Sequence, residues 1–205
     1  MSRTTMTESN RVANPAKYRL DWSGKRGNFS YWNGESNQEV DDLQFVLLDF
    51  AASVSGWDDN SESRIYSNFV KNTAEQELIV KESKNGKVLA KGLYADIKSS
   101  SFSYVSSLFA LAKIDDEWEL CQINLKKSSL GSWTEFRDGV DLKDIYGSVL
   151  NVGPSEELKK GSVKYRVPVF EMSEISSDLA EEADRVDSQV LQPFMGQFTV
   201  SSEEE

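Results

Sequence analysis

Along most of its length the chain alternates apolar and polar residues at period two, the pattern of a half-buried β-strand. "SRIYSNFVK" at 63–71 sets Ile65, Ser67 and Phe69 against Arg64, Tyr66, Asn68 and Val70. "ELIVKE" and "GKVLAKG" flank "SKNG", whose Asn-Gly supplies the left-handed positions of a hairpin turn. "FSYVSSLFALAKI" and "EWELCQINLK" predict a second hairpin across Asp115 and Asp116. "DDLQFVLLDFAASVSG" at 41–56 is apolar enough around Phe45 to Leu48 to be covered on both faces, and Gly56 is expected to end it. "NFSYWN" at 28–33 follows the basic turn "SGKRG" as a short strand. "YGSVLNVG" and "GSVKYRVPVFE" read as a final strand pair across the polar "PSEELKK", with Pro168 placing the last strand at an edge or bulge.

Three stretches change to helical spacing. Leu93, Tyr94 and Ile97 in "GLYADIKSSS" predict a short helix. Leu130, Trp133 and Phe136 predict another, stopped by Gly139. Ile175, Leu179, Ala183, Val186 and Val190 predict an amphipathic helix with an acidic outer side, capped by Ser176 or Ser177 and ended by Pro193. The sum is a mainly β protein with a few helices. Its order fits an OB-fold-like β-barrel with extensions and an acidic C-terminal helix and tail. A β-sandwich predicts the same alternation, and the place of "GLYADIK" between two strand groups favours the barrel. Residues 1–14 read as a disordered basic arm, 15–171 as the β domain, 172–192 as the acidic helix and 193–205 as a flexible acidic tail.

Composition narrows the chemistry. The 205 residues include no histidine, which removes Ser-His and Cys-His nucleophile pairs and imidazole metal ligands. The single cysteine, Cys121, precludes an intrachain disulfide and sits in strand-like "WELCQINL" as a packing residue. Carboxylate pairs such as Asp41-Asp42, Asp58-Asp59 and Asp115-Asp116 lack the spacing of a calcium loop, so no catalytic residue, cofactor or metal is expected. No apolar run approaches the roughly 20 residues that cross a bilayer, and the first residues lack a signal-peptide centre. A soluble, cytoplasmic, non-membrane protein is expected.

The net charge of −11 is unevenly spread. Residues 171–205 hold ten acids and one base, Arg185, while residues 1–30 hold six bases and two acids. A near-neutral body with a basic leading arm can meet a polyanion, and single-stranded nucleic acid needs stacking rings and cations on one open face. Trp57, in the polar loop after the long strand, is the first ring, either a platform or a lid folded back on the core. Tyr66 beside Arg64 is the second, with Phe69, Trp22, Trp118 and Trp133 read as packing residues. Lys91, Tyr94 and Lys98 gather around the short helix. Lys126 and Lys127 adjoin Ser128 and Ser129 at a helix start, where cations and backbone donors can meet a phosphate.

"GWDDNSESRIYSNFV", "AKGLYADIKS", "CQINLKKSSLGSW" and "KYRVPVFE", spread over roughly residues 27–171, resemble the motifs of single-stranded DNA-binding proteins of crAss-like and related Bacteroidetes phages. Trp57, Tyr66, Asn68, Tyr94, Lys98 and Lys126 occupy motif positions. The chain departs from that pattern in the serine-rich "SSSFSYVSSLF". The resemblance implies an OB-type barrel that coats DNA in phage replication and recombination without sequence preference. It also implies an acidic C-terminus, here Phe194, Phe198, Glu203, Glu204 and Glu205, that recruits replication proteins; its charge lets it also occupy the basic groove in competition with DNA and so regulate binding. Two other readings are an acidic DNA mimic acting on a host DNA-binding protein, which should spread its acids over the body, and a carboxylate-dependent nuclease. The chain is read as a non-enzymatic binder, monomeric or homodimeric.

Overall fold

The computed structural model describes residues 12–198. Most of the basic arm and residues 199–205, with Glu203, Glu204 and Glu205, lie outside the described residues. Two short strands absent from the sequence reading, β1 (Tyr18–Ser23) and β3 (Asn37–Val40), flank the expected β2 (Asn28–Trp32). They share its alternation: Leu20 and Trp22 point inward from β1, and Arg19 and Asp21 point the other way.

β4 (Leu43–Asp58) does not stop at Gly56 but runs two residues further. β5 (Ser63–Ser67) stops before Asn68, because the Asn68 side chain bonds Glu77 O (3.1 Å) and Ile79 N (2.6 Å) and turns the chain out of the ladder. That break reverses the parity read from the sequence. Val70, placed with the exposed residues by strict alternation, is 2% exposed and bridges Ala52 instead. β6 (Leu78–Glu82) and β7 (Val88–Gly92) form the Asn-Gly hairpin, with Gly86 at φ +68°. One short turn of helix, α1 (Tyr94–Ile97), leads to β8 (Phe102–Ile114), and Asp115 and Asp116, at φ +51° and +67°, turn it into β9 (Glu117–Lys126).

α2 (Ser128–Asp138) ends at Gly139 as expected, and a further short helix, α3 (Leu142–Tyr146), precedes β10 (Ser148–Val152). The polar "PSEELKK" is not a spacer: β11 (Glu156–Lys160) and β12 (Val163–Val167) form a separate two-stranded sheet. β10 pairs instead with β13 (Phe170–Glu174) and β4. The acidic helix is α4 (Ser177–Val186), capped by Ser176, whose Oγ accepts from Leu179 N. Pro193 does not end the helical run. A π-helical turn, Asp187–Leu191, continues into α5 (Gln192–Met195), where proline fits because a first turn has no N–H to lose.

The large sheet is mixed, in the order β3-β2-β1-β9-β8-β4-β5-β6-β7, with β1 and β9 parallel and the other pairs antiparallel. The described residues contain no closed sheet, so a mainly β protein built on a large mixed sheet is what stands of the barrel expectation. One face, with Leu20, Trp22, Leu108, Ile123 and Leu125, is covered by α2, where Trp133 is buried. The other face is apolar only over part of its length. There Ala51, Phe109 and Leu111 lie under α4, the π-helical turn and α5, against Val186, Leu191, Phe194 and Met195. Beyond Ala51 and Phe109 the same face turns polar and open.

Candidate nucleic-acid interface

The change from apolar to polar is written in two strands. On β4 the outward positions read Ala51, Ser53, Ser55, Trp57, and on β8 their partners read Ser107, Val105 and Ser103. β5 adds Arg64 opposite Trp57 and Tyr66 opposite Ser55. On the other side β9 adds Lys126 opposite Val105 and Asn124 opposite Ser107, and β1 adds Arg19 and Asp21. Residues paired in register project to the same side of a sheet, so these side chains share one surface. They line an open groove of about 740 Å³.

Two rings stand in it. Trp57 is 55% exposed and Tyr66 42% exposed, on neighbouring strands and diagonal to one another. Trp57 is therefore not a lid. Asp58 anchors the turn behind it by accepting from Asn60 N (3.0 Å) and the Ser61 hydroxyl (2.9 Å), and these bonds hold its carboxyl below the usual range. Phe69 is half-buried at the groove's edge, with edge-on contacts to Phe109 at 5.7 Å and Phe198 at 5.6 Å. It supports the wall, as a packing residue should.

Among the described residues four cations line the same groove: Arg64 opposite Trp57, and Arg19, Lys126 and Lys127 on its other side. Asp21 is the one acid lining the groove among the described residues, 3.3 Å from Lys126 Nζ. Lys127 sits at φ +53° just before α2, and Ser129 Oγ accepts from Lys126 N at 3.1 Å, which fixes the corner where the two lysines turn toward the groove. The floor is polar but satisfied. Gln122 Nε2 donates to Asn124 Oδ1 (2.7 Å) and Ser107 Oγ (3.2 Å), and Asn14 Nδ2 closes the network on Gln122 Oε1 (2.7 Å). Small serines from both strands keep the floor low, and Gly56 lets the Ser101–Phe102 backbone approach closely.

Of the residues singled out from sequence, Trp57, Arg64, Tyr66, Lys126 and Lys127 meet in this groove. The others do not line it. Asn68 is a structural clamp, and Lys91 pairs with Glu77 at 3.1 Å. Tyr94 packs on Tyr104 at 5.2 Å with Lys98 Nζ 5.6 Å from its ring, on the opposite face of the sheet. Phe194 is not an exposed partner contact: it is 3% exposed, inside the cluster with Phe109 and Leu191. Phe198 packs on it at 5.0 Å. Sequence reasoning missed Arg19 and Asp21, although their alternation with Leu20 and Trp22 was visible. It also treated the serine stretch as a loss, whereas Ser100, Ser101 and Ser103 line the groove.

A second cleft, of about 490 Å³, lies at the other end of the β4–β8 ladder. Among the described residues Glu39, Asp42, Asp115 and Asp116 line it with a single base, Lys113, so its charge is wrong for a polyanion. No group of three or more His, Cys, Asp or Glu side chains placed to hold a metal occurs among the described residues, and no helix there is long and apolar enough to cross a membrane. Compared with protein-family models, curated proteins and solved structures, the chain has no match.

Proposed function

We propose that the chain binds single-stranded DNA without sequence preference, by stacking bases on Trp57 and Tyr66 and drawing phosphates to Arg19, Arg64, Lys126 and Lys127. One observation carries this reading: among the described residues, two exposed rings and four cations open onto one groove that contains a single acid. Each base stacked on an aromatic ring contributes about 1–3 kcal/mol and asks nothing of base identity. Serines on the floor are small enough for a base to lie flat. In this reading the sheet plays the part of the curved sheet in an oligonucleotide-binding barrel, and the role in phage replication and recombination follows from the motif resemblance.

The test is a titration with oligo-dT, read by the fluorescence anisotropy of a dye on the oligonucleotide, beside the same titration with duplex. Trp57→Ala and Tyr66→Ala are each expected to weaken single-strand binding by about 5- to 150-fold, the equivalent of one lost stack, with little change in melting temperature. Trp32→Ala is the control. Trp32 is 61% exposed on β2 but does not line the groove, so its loss should leave affinity unchanged. Unaltered binding by Trp57→Ala, or equal affinity for duplex, would overturn the proposal. Cleavage of the oligonucleotide on adding magnesium would favour the nuclease reading instead.

A further inference from the structure

The β11–β12 hairpin packs little of itself against the body. Lys159, Lys160, Val163 and Lys164 are all exposed around a turn with Gly161 at φ +63°. Its base, by contrast, is fixed. Arg166 N donates to Gly24 O (2.8 Å), and Trp22 Nε1 donates to Arg166 O (3.0 Å). A Cβ on Gly27, at φ +82°, would collide with Ser155 and Arg166, so the β1–β2 turn and the hairpin base are in close contact. On its other flank, the Cβ position of Gly24 lies 3.7 Å from Ser128 Oγ, next to Lys127 at the end of the groove. A continuous path therefore runs from Lys126 and Lys127 past Gly24 and Lys25 to Arg166, Lys164 and the hairpin tip. A shallow cleft of about 220 Å³ marks its middle.

The charges along the path are not balanced. One face of the hairpin carries Lys159 directly opposite Lys164 and Glu157 directly opposite Arg166. Glu157 is 2.8 Å from Lys164 and 3.9 Å from Arg166, and this double attraction holds its carboxyl below the usual range. Glu39 is similarly committed to Arg26 at 2.6 Å. Among the described residues Lys25, Lys159 and Lys160 have no ion-pair partner. Like charges facing each other across two strands are unfavourable, and an anion between them would relieve the cost.

We propose that the β11–β12 hairpin and Lys25 form a second phosphate-binding element, which takes the same single strand where it leaves the groove at Lys127. This rests on the groove being the stacking site. The hairpin strands are about 17 Å long, enough to add a few nucleotides to the footprint.

The full chain and the triple variant Lys25→Gln/Lys159→Gln/Lys164→Gln, whose three lysines lie along the path, are titrated with oligo-dT of about 8 and about 20 nucleotides at several salt concentrations, with Trp57→Ala beside them. The triple variant should bind the short oligonucleotide like the parent. It should lose most of the gain that the parent shows with the long one, and its log K against log salt slope should fall by about 2, or 0.7 per phosphate contact. Parental affinity and slope with both lengths would overturn the hairpin proposal and leave the groove standing. A loss seen only with a duplex-ended substrate would also overturn it, because the hairpin would then meet a duplex rather than the outgoing strand. If the triple variant loses long-strand binding while Trp57→Ala loses none, the hairpin binds phosphates and the groove reading falls.

Discussion

Trp57 and Trp133 both sit in serine-rich stretches, yet one is open and the other sealed, and the cause is local. Trp133 shares a helix face with Leu130 and meets Phe170 at 5.3 Å and Phe136 at 5.8 Å, so the α2 stripe carries it inward. Trp57 takes its side from the parity of β4, which turns it to the uncovered face at the strand's end. Gly56, its neighbour, is required by space rather than by torsion. A Cβ there would overlap Ser101 O and come within 2.9 Å of Phe102. Gly56→Ala is accordingly expected to cost about 1–3 kcal/mol, the usual penalty of overpacking, seen as a lowered melting temperature. Cys121 offers a separate check on burial. Its thiol, fully enclosed between β1 and β8, is pushed up to about 12 by desolvation. Because the thiolate is the reactive form, native protein should resist iodoacetamide and react fully only in denaturant. Alkylation of the native chain at a free-thiol rate would show that the strands do not cover it.

Elements were legible where one rule governs a whole segment. The two hairpins, α2 and the capped α4 follow from turn residues and periodicity that neighbours do not override. What failed were boundaries and partners set by tertiary contacts: Asn68 ending β5, β10 choosing β13, and Pro193 entering a helix after a π-helical turn. The groove was half legible for the same reason: Tyr66 lies on a strand with clear alternation, whereas Trp57 falls beyond the glycine expected to end β4, and Arg19 lies on a strand whose alternation spans only a few residues. The C-terminal helical segment also carries a titration. Burial raises the Asp187 carboxyl above its ordinary 3.8; the nearby carboxylates Asp49 and Asp184 add to this, while Gln192 and Lys71 oppose it. A raised folded value means that the native state favours the protonated acid. That contribution is fully present below 3.8 and is lost as pH rises through the folded value. Asp187→Asn keeps the oxygen that accepts from Gln192 Nε2 at 2.9 Å and removes the charge. It should melt higher than the parent at neutral pH and lose that advantage in acid. An advantage that grows on acidification would reverse the sign.

At the scale of the whole molecule, charge is sorted along the sheet, with the acidic cleft at one end of the β4–β8 ladder and the basic groove at the other. The strongly acidic last 35 residues are not one tail but two parts. Residues through Phe198 belong to the body: β13 pairs with β10, and Ala183, Val186, Leu191, Phe194 and Met195 are buried. Removing 171–205 would strip several large apolar side chains, each worth about 1.5–3 kcal/mol, from a domain whose whole stability is about 5–15 kcal/mol. That truncation is expected to unfold the protein, whatever it does to binding. The informative deletion is 199–205, which includes Glu203, Glu204 and Glu205. Its starting point is on the groove's rim: Phe198 touches Phe69, and its carbonyl accepts from Gln76 Nε2 at 2.7 Å. Seven residues span at most about 24 Å, enough for the three glutamates to compete for the same cations as a phosphate strand. Deleting 199–205 should leave the melting temperature unchanged and tighten oligo-dT binding severalfold at low salt. The gain should shrink as salt screens both competitors. Equal affinity of the two chains at low salt would remove the tail from the account of binding and leave it free for another protein.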